Sequence, residues 1–198
     1  MKKVVYIRAS KTDGVFHVGV KDADGGECER FVLSVRRYPE LSDLRVGDSL
    51  DGEIYSLVKL SDEEYRARKK ALSILSFSDN NERTLKRKLA THGISRDVAD
   101  RVSKEMVSLG YVDELRQLER LVRSDAAKLY GPSKIYARLV AKGYSSADVK
   151  RVISSLSESG EIDFSSYARM LIDKKYPDGP TDEEKRALLY KHGYKSYK

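Results

Sequence analysis

The sequence predicts a mainly α protein, built as tandem three-helix repeats in an elongated, curved array and preceded by a small β-rich N-terminal domain. Three observations carry that prediction. The stretches "THGI" (91–94), "AKGY" (141–144) and "KHGY" (191–194) place Gly93, Gly143 and Gly193 on a beat of fifty residues. At Ser61 the apolar pattern changes from short β-type runs to helical spacing. At the same offset of fifty, residues of like class coincide: Leu85 with Ile135, Leu89 with Leu139, Ser95 with Ser145, Val102 with Val152, Met106 with Leu156 and Asp113 with Asp163. Core, cap and glycine positions specify how a helical module packs, so a duplicated module keeps them in register.

The runs "VVYI" (4–7), "VFHVGV" (15–20) and "ERFVLSV" (29–35) read as strands. In the second, Val15, His17 and Gly19 alternate with Phe16, Val18 and Val20, a period of two that turns one face toward a core. Asp24-Gly25-Gly26 supplies residues that tolerate positive φ and closes a hairpin. "LRVGDSL" (44–50) adds a glycine-centred turn before a last extended stretch, "EIYSLVKL" (53–60). The single Cys28 has no partner for a disulfide or a CxxC metal site and reads as a partly buried strand residue.

From Ser61 the chain reads as helix. Ser61 and Glu64 have the spacing of a capping box, and good helix formers follow to Phe77. "SDNN" (78–81) caps a second helix over 82–92, which Gly93 ends. Ser95 caps a third over 96–109, with Val98, Val102, Met106 and Leu109 along one face. The second repeat follows the same plan: Asp113 caps a helix to about Tyr130, Pro132 opens the next, Gly143 ends it, and 146–159 mirrors the earlier third helix. A third unit offers helices over 164–176 and 181–192 and is expected to lack its last helix. The predicted domains are therefore 1–60, a β-rich N-terminal domain; 61–113 and 114–163, two helical repeats; and 164–198, a truncated third.

Charge is unevenly spread. Residues 1–60 hold ten Lys/Arg and ten Asp/Glu, whereas 61–198 hold 28 and 21, so the whole excess of +7 falls in the helical part. A basic field draws polyanions. No run approaches the roughly 20 apolar residues that span a bilayer, and the opening "MKKVVYIRAS" is too short in apolar residues for a secretory segment, so a cytoplasmic protein is expected. No phosphate-binding glycine loop, GxSxG or HExxH is present, which points away from catalysis.

With the repeats laid out, "ALSILSFSDNNERTLKRKLATHGIS" (71–95), "LGYVDE" (109–114) and "YGPSKIYARLVAKGYS" (130–145) resemble the RecX family, bacterial regulators of the RecA recombinase. The likeness covers most of 61–198, and residues 1–60 resemble a small β-rich extension carried by some members. The resemblance implies tandem three-helix repeats without enzymatic activity or cofactor. It implies binding in the groove of the RecA filament on DNA, with RecA ATP hydrolysis, strand exchange and coprotease function limited.

The candidate contact residues are the cations of the second helices: Arg83, Lys86, Arg87 and Lys88 in the first repeat, Lys134, Arg138 and Lys142 in the second. Lys134, Arg138 and Lys142 recur every four residues, as do Arg83 and Arg87, so each set makes a ridge along one helix face. Against this, long cationic side chains on a helix ordinarily lie in solvent with their stems over apolar neighbours. His92, Lys142 and His192 precede the three glycines, where a basic group suits a helix C-terminus better than a metal site. In the tail, Tyr190, Tyr194 and Tyr197 alternate with Lys191, Lys195 and Lys198, a mixture that can stack on bases or simply fray. The expected partners are the RecA filament and single- or double-stranded DNA, with the chain a monomer and no membrane involved. The alternative is a DNA-binding helical module that acts independently of RecA.

Overall fold

The computed structural model describes residues 2–194. Four strands form near the N-terminus: β1 (Lys2–Ala9), β2 (Val15–Asp22), β3 (Glu29–Ser34) and the two-residue β4 (Ser49–Leu50). They make one antiparallel sheet in the order β3-β2-β1-β4. The β2–β3 hairpin turns where Gly25 (φ 92°) and Gly26 (φ 124°) adopt left-handed conformations that a Cβ would disfavour. Alternation then sorts the side chains: Val4, Val18, Val20 and Leu33 are buried on one face with Leu41, Leu50 and Val58.

The stretch 53–60, expected as a strand, instead opens the long helix α1 (Gly52–Phe77). Asp51 is its N-cap, accepting from Ile54 N at 2.8 Å, and Ile54 and Val58 stand one helical turn apart facing the sheet core. Its β-branched and aromatic residues suggested a strand, but packing against a sheet accepts them on a helix too. Ser61 and Glu64 consequently lie mid-helix and form no capping box. Because β3 is an edge strand, its outward N–H groups need partners: Ser61 Oγ accepts from Ser34 N at 3.0 Å and Asp62 Oδ1 from Val32 N at 2.9 Å. Glu64 accepts instead from Arg68 (2.7 Å) and pairs with Arg101 (3.1 Å). Glu105 bridges Arg68 (2.8 Å) and Arg37. Burial, with the nearby Glu64 carboxylate, pushes the Tyr38 phenol up to about 12.

Beyond α1 the repeat is literal. Helices α2 (Glu82–Thr91) and α3 (Arg96–Ser108) recur as α5 (Pro132–Ala141) and α6 (Ser146–Glu158), every boundary displaced by fifty residues. Between them lies α4 (Glu114–Ala126), and α7 (Phe164–Lys175) and α8 (Asp182–His192) follow. Helix α4 stops short of the expected Tyr130, and Leu129 takes φ 60° in the turn beyond it. Asp113 and Asp163 cap α4 and α7 through their carboxylates, as expected. Gly93, Gly143 and Gly193 all have positive φ (78°, 98° and 85°), the left-handed turn that ends a helix.

The chain forms two compact units, one comprising residues up to Ser78 with Lys86–Glu105, the other Asp79–Leu85 with residues from Met106 on. The second has its own core, in which Leu118, Val122, Ile135, Leu139 and Val149 have no exposed surface. Truncating a leucine so placed costs about 2–5 kcal/mol. Among the described residues no helix is long and apolar enough to cross a membrane. Lys195, Tyr197 and Lys198 of the Tyr/Lys tail lie outside the described residues.

Candidate partner-binding surface

The second helices of the repeats owe their positions to end-to-end docking. At the α8–α5 junction, Gly131 N donates to His192 O at 2.7 Å and Ser133 N to Gly193 O at 3.1 Å. The open N–H groups at the start of α5 thus satisfy the open carbonyls at the end of α8. Tyr194 is buried and donates its hydroxyl to Leu129 O at 3.2 Å, so it braces this junction and offers no ring for stacking. At the α5–α2 junction, Asn81 caps α2 by accepting from Thr84 N at 2.8 Å and donates through Nδ2 to Lys142 O at 3.1 Å. A buried polar node supports that contact: Gln117 Nε2 donates to Asn80 O at 3.3 Å, and Tyr144 donates to Gln117 Oε1 at 2.9 Å. Such a node is stabilising when every member is satisfied.

This scaffold divides the seven candidate cations. Arg138 Nε donates to Asp125 Oδ2 at 3.0 Å, and Lys128 Nζ lies 3.0 Å from Oδ1 of the same carboxylate. Burial alone would raise the Asp125 pKa, but the hydrogen bonds from Lys128 and Arg138 prevail and hold it below the ordinary carboxylate range. Lys134 stacks its ammonium 4.1 Å from the centroid of Tyr130, with the Arg138 guanidinium 5.2 Å from the same ring. Lys86 pairs with Asp100, which Lys104 also holds at 2.8 Å. Hydrogen bonds from Lys104 and Lys86 keep the Asp100 carboxyl down at about 2.

The remaining four are freer. Arg83, Arg87 and Lys142 are exposed and Lys88 is half-buried; none of the four side chains makes an ion pair among the described residues. The fold brings Arg83 to the turn after Lys142, since a Cβ on Gly143 would lie 3.0 Å from Arg83 Cδ. Lys86, Arg87 and Lys88 belong to the other compact unit. Sequence spacing marked the ridges but not which members are neutralised in place, because Asp125 and Asp100 lie thirteen and fourteen positions from their partners Arg138 and Lys86.

No family model matches the chain. The chain is 31% identical over 130 residues to the regulatory protein RecX of Stenotrophomonas maltophilia strain K279a, covering 63% of this chain and 77% of that protein. It is 30% identical over 130 residues to the regulatory protein RecX of Xanthomonas axonopodis pv. citri strain 306, with 63% and 78% covered. Among solved structures, a crystal structure of regulatory protein RecX superimposes with a TM-score of 0.72 at 20% identity, covering 99% of this chain and 96% of that one. RecX from Lactobacillus salivarius gives a TM-score of 0.56 at 18% identity, over 69% and 90%. The fold thus defines a tandem three-helix-repeat protein with a small N-terminal sheet. By its sequence relatives, the chain belongs to the RecX family.

Proposed function

We propose that this protein is a non-enzymatic regulator of the RecA recombinase. It binds the groove of the RecA–DNA filament and inhibits ATP hydrolysis, strand exchange and coprotease activity. Membership of the RecX family supports the choice of partner. The observation that carries the choice of surface is that, among the described residues, Arg83 and Lys142 in the second unit stand exposed without an acidic partner while Arg138 is consumed by Asp125, and that in the first unit Arg87 is likewise exposed and unpaired while Lys86 is consumed by Asp100. Unpaired cations on rigid helices suit a polyanionic or acidic groove and lose little conformational freedom on contact.

The test is the DNA-dependent ATPase of RecA titrated with the intact protein. Inhibition is expected at or below stoichiometric amounts, weakened by Arg87→Glu and by Lys142→Glu. Arg138→Glu is a poor probe, since it would set a second carboxylate against buried Asp125 and unfold the repeat. An ATPase unaffected by the intact protein refutes the proposal.

A further inference from the structure

We infer that the outer face of the N-terminal sheet is a binding site for single-stranded nucleic acid. The inference concerns the first compact unit alone and holds whether or not RecA is the partner. Strand register sets the face: Tyr6 lies opposite Gly19 and Gly19 opposite Arg30, and Arg8 lies opposite His17 and His17 opposite Val32. These side chains therefore share the side turned away from the Val18, Val20 and Leu33 core. The Tyr6 ring rests on the sheet at Gly19, where an added Cβ would meet Tyr6 Cε1 at 2.2 Å. Covering a strand glycine accounts for that ring, but not for what surrounds it. Tyr65 and Lys69 from α1 and Lys11 from the β1–β2 turn complete, with Arg8 and Arg30, a concavity of about 1580 Å³.

Charge on this face is one-sided although residues 1–60 are balanced overall. The two carboxylates that border the concavity are already engaged: Glu29 by Lys2 and by the Tyr55 hydroxyl at 2.6 Å, Asp62 by Arg66 at 2.8 Å and Val32 N at 2.9 Å. Arg8, Lys11, Arg30 and Lys69 have no acidic partner among the described residues. Aromatic rings set among unpaired cations on an open sheet match unstacked bases on a phosphate chain. Duplex DNA hides its base faces from such a platform. A peptide strand cannot extend the sheet at β3, because Ser61 and Asp62 occupy the edge N–H groups.

The experiment is fluorescence anisotropy of labelled oligothymidylate of about 20 nucleotides, the length range of one or two such platforms, titrated with the full chain across salt concentrations. An oligouridylate arm distinguishes DNA from RNA as the source. Four cations on single-stranded phosphates give a log–log salt slope of up to about −2.8, at ~0.7 per contact, and the Arg8→Ala/Arg30→Ala pair should make it shallower by about 1.4. Tyr65→Leu should weaken binding roughly 5- to 150-fold with the slope unchanged. Arg45→Ala, exposed on the same compact unit but outside the concavity, should change neither quantity. The inference is overturned if the Arg8→Ala/Arg30→Ala protein, folded by circular dichroism, binds as the parent does. Equal affinity for a duplex of the same length also overturns it, as does displacement of the oligonucleotide by polyglutamate at equal charge, which would mark an acidic protein surface as the occupant.

Discussion

Gly131→Ser tests the docking of one repeat upon the next with opposite signs for opposite hypotheses. Gly131 is the N-cap of α5 at φ −78° and ψ 166°, a conformation open to any residue. Serine is a better N-cap than glycine and restricts the unfolded chain, so local rules alone predict a gain of a few tenths to about 1 kcal/mol. The tertiary structure predicts a loss. A Cβ at this position would sit 2.6 Å from both Gly193 C and Gly193 O and 2.7 Å from Tyr194 N, all backbone atoms that cannot rotate away. Ordinary contact begins near 3.4 Å, so the two segments must part by about 0.8 Å. That would stretch the hydrogen bonds from Gly131 N (2.7 Å) and Ser133 N (3.1 Å) to about 3.5 and 3.9 Å, past useful geometry. Two lost bonds at ~0.5–1.5 kcal/mol each, with some overpacking strain, give a destabilisation of about 2–4 kcal/mol. Urea denaturation followed at the helix dichroism band measures it, and amide exchange at Ser133 should accelerate in step. Gly160→Ala is the control: its φ is +75° and nothing lies within 4 Å, so it should cost only the left-handed penalty of about 1 kcal/mol. A Gly131→Ser protein as stable as the parent would refute the docking argument.

Asp125→Asn should lower stability by about 1–2 kcal/mol at neutral pH, reading Arg138 as partly solvated. Because the folded carboxyl titrates below its unfolded value of 3.8, its contribution is present above that pH and disappears as pH falls through the folded value; parent and variant denaturation curves should therefore converge below pH 3.8. Glu64→Gln should destabilise the first unit by about 2 kcal/mol, less than for a wholly buried pair since Arg68 keeps Glu105. It should also lower the Tyr38 phenol from about 12 without returning it to the ordinary 10, because burial remains, as ultraviolet titration of tyrosinate would record.

The sequence disclosed the glycine beat because a helix-ending conformation is a local property: Gly93, Gly143 and Gly193 are legible from their own neighbourhoods. It did not disclose that Gly131 and Gly193 touch, since the contact joins positions sixty-two residues apart and requires only that neither have a side chain. The capping box expected of Ser61 and Glu64 fails for a related reason. The side-chain oxygens that cap a helix also cap a strand edge, and only the tertiary position of β3 decides between them. The even charge count over residues 1–60 concealed the cationic face of the sheet, because a period of two separates charges by face and not by segment. Within the candidate partner surface, the ridges were visible from spacing, whereas the pairing of Lys86 and Arg138 depends on the turn between helices.

The internal duplication also separates fold from function. Positions fifty apart occupy equivalent places in modules whose helix boundaries coincide, so packing asks the same of both. In the core the answers agree, as with Leu89 and Leu139, neither of which has exposed surface. At the turn after the third helix and the start of the helix that follows they diverge: Leu109, Tyr111 and Leu115 are 59%, 56% and 45% exposed, and their counterparts are Ser159, Glu161 and Ser165. Since the second repeat folds with polar residues at these places, packing gives no reason for apolar ones in the first. Glu161 instead serves its own repeat by pairing with Arg123, a use that Tyr111 cannot copy. The two repeats are therefore equivalent as architecture and unlike as surfaces, and a partner that engages the protein meets different chemistry at each.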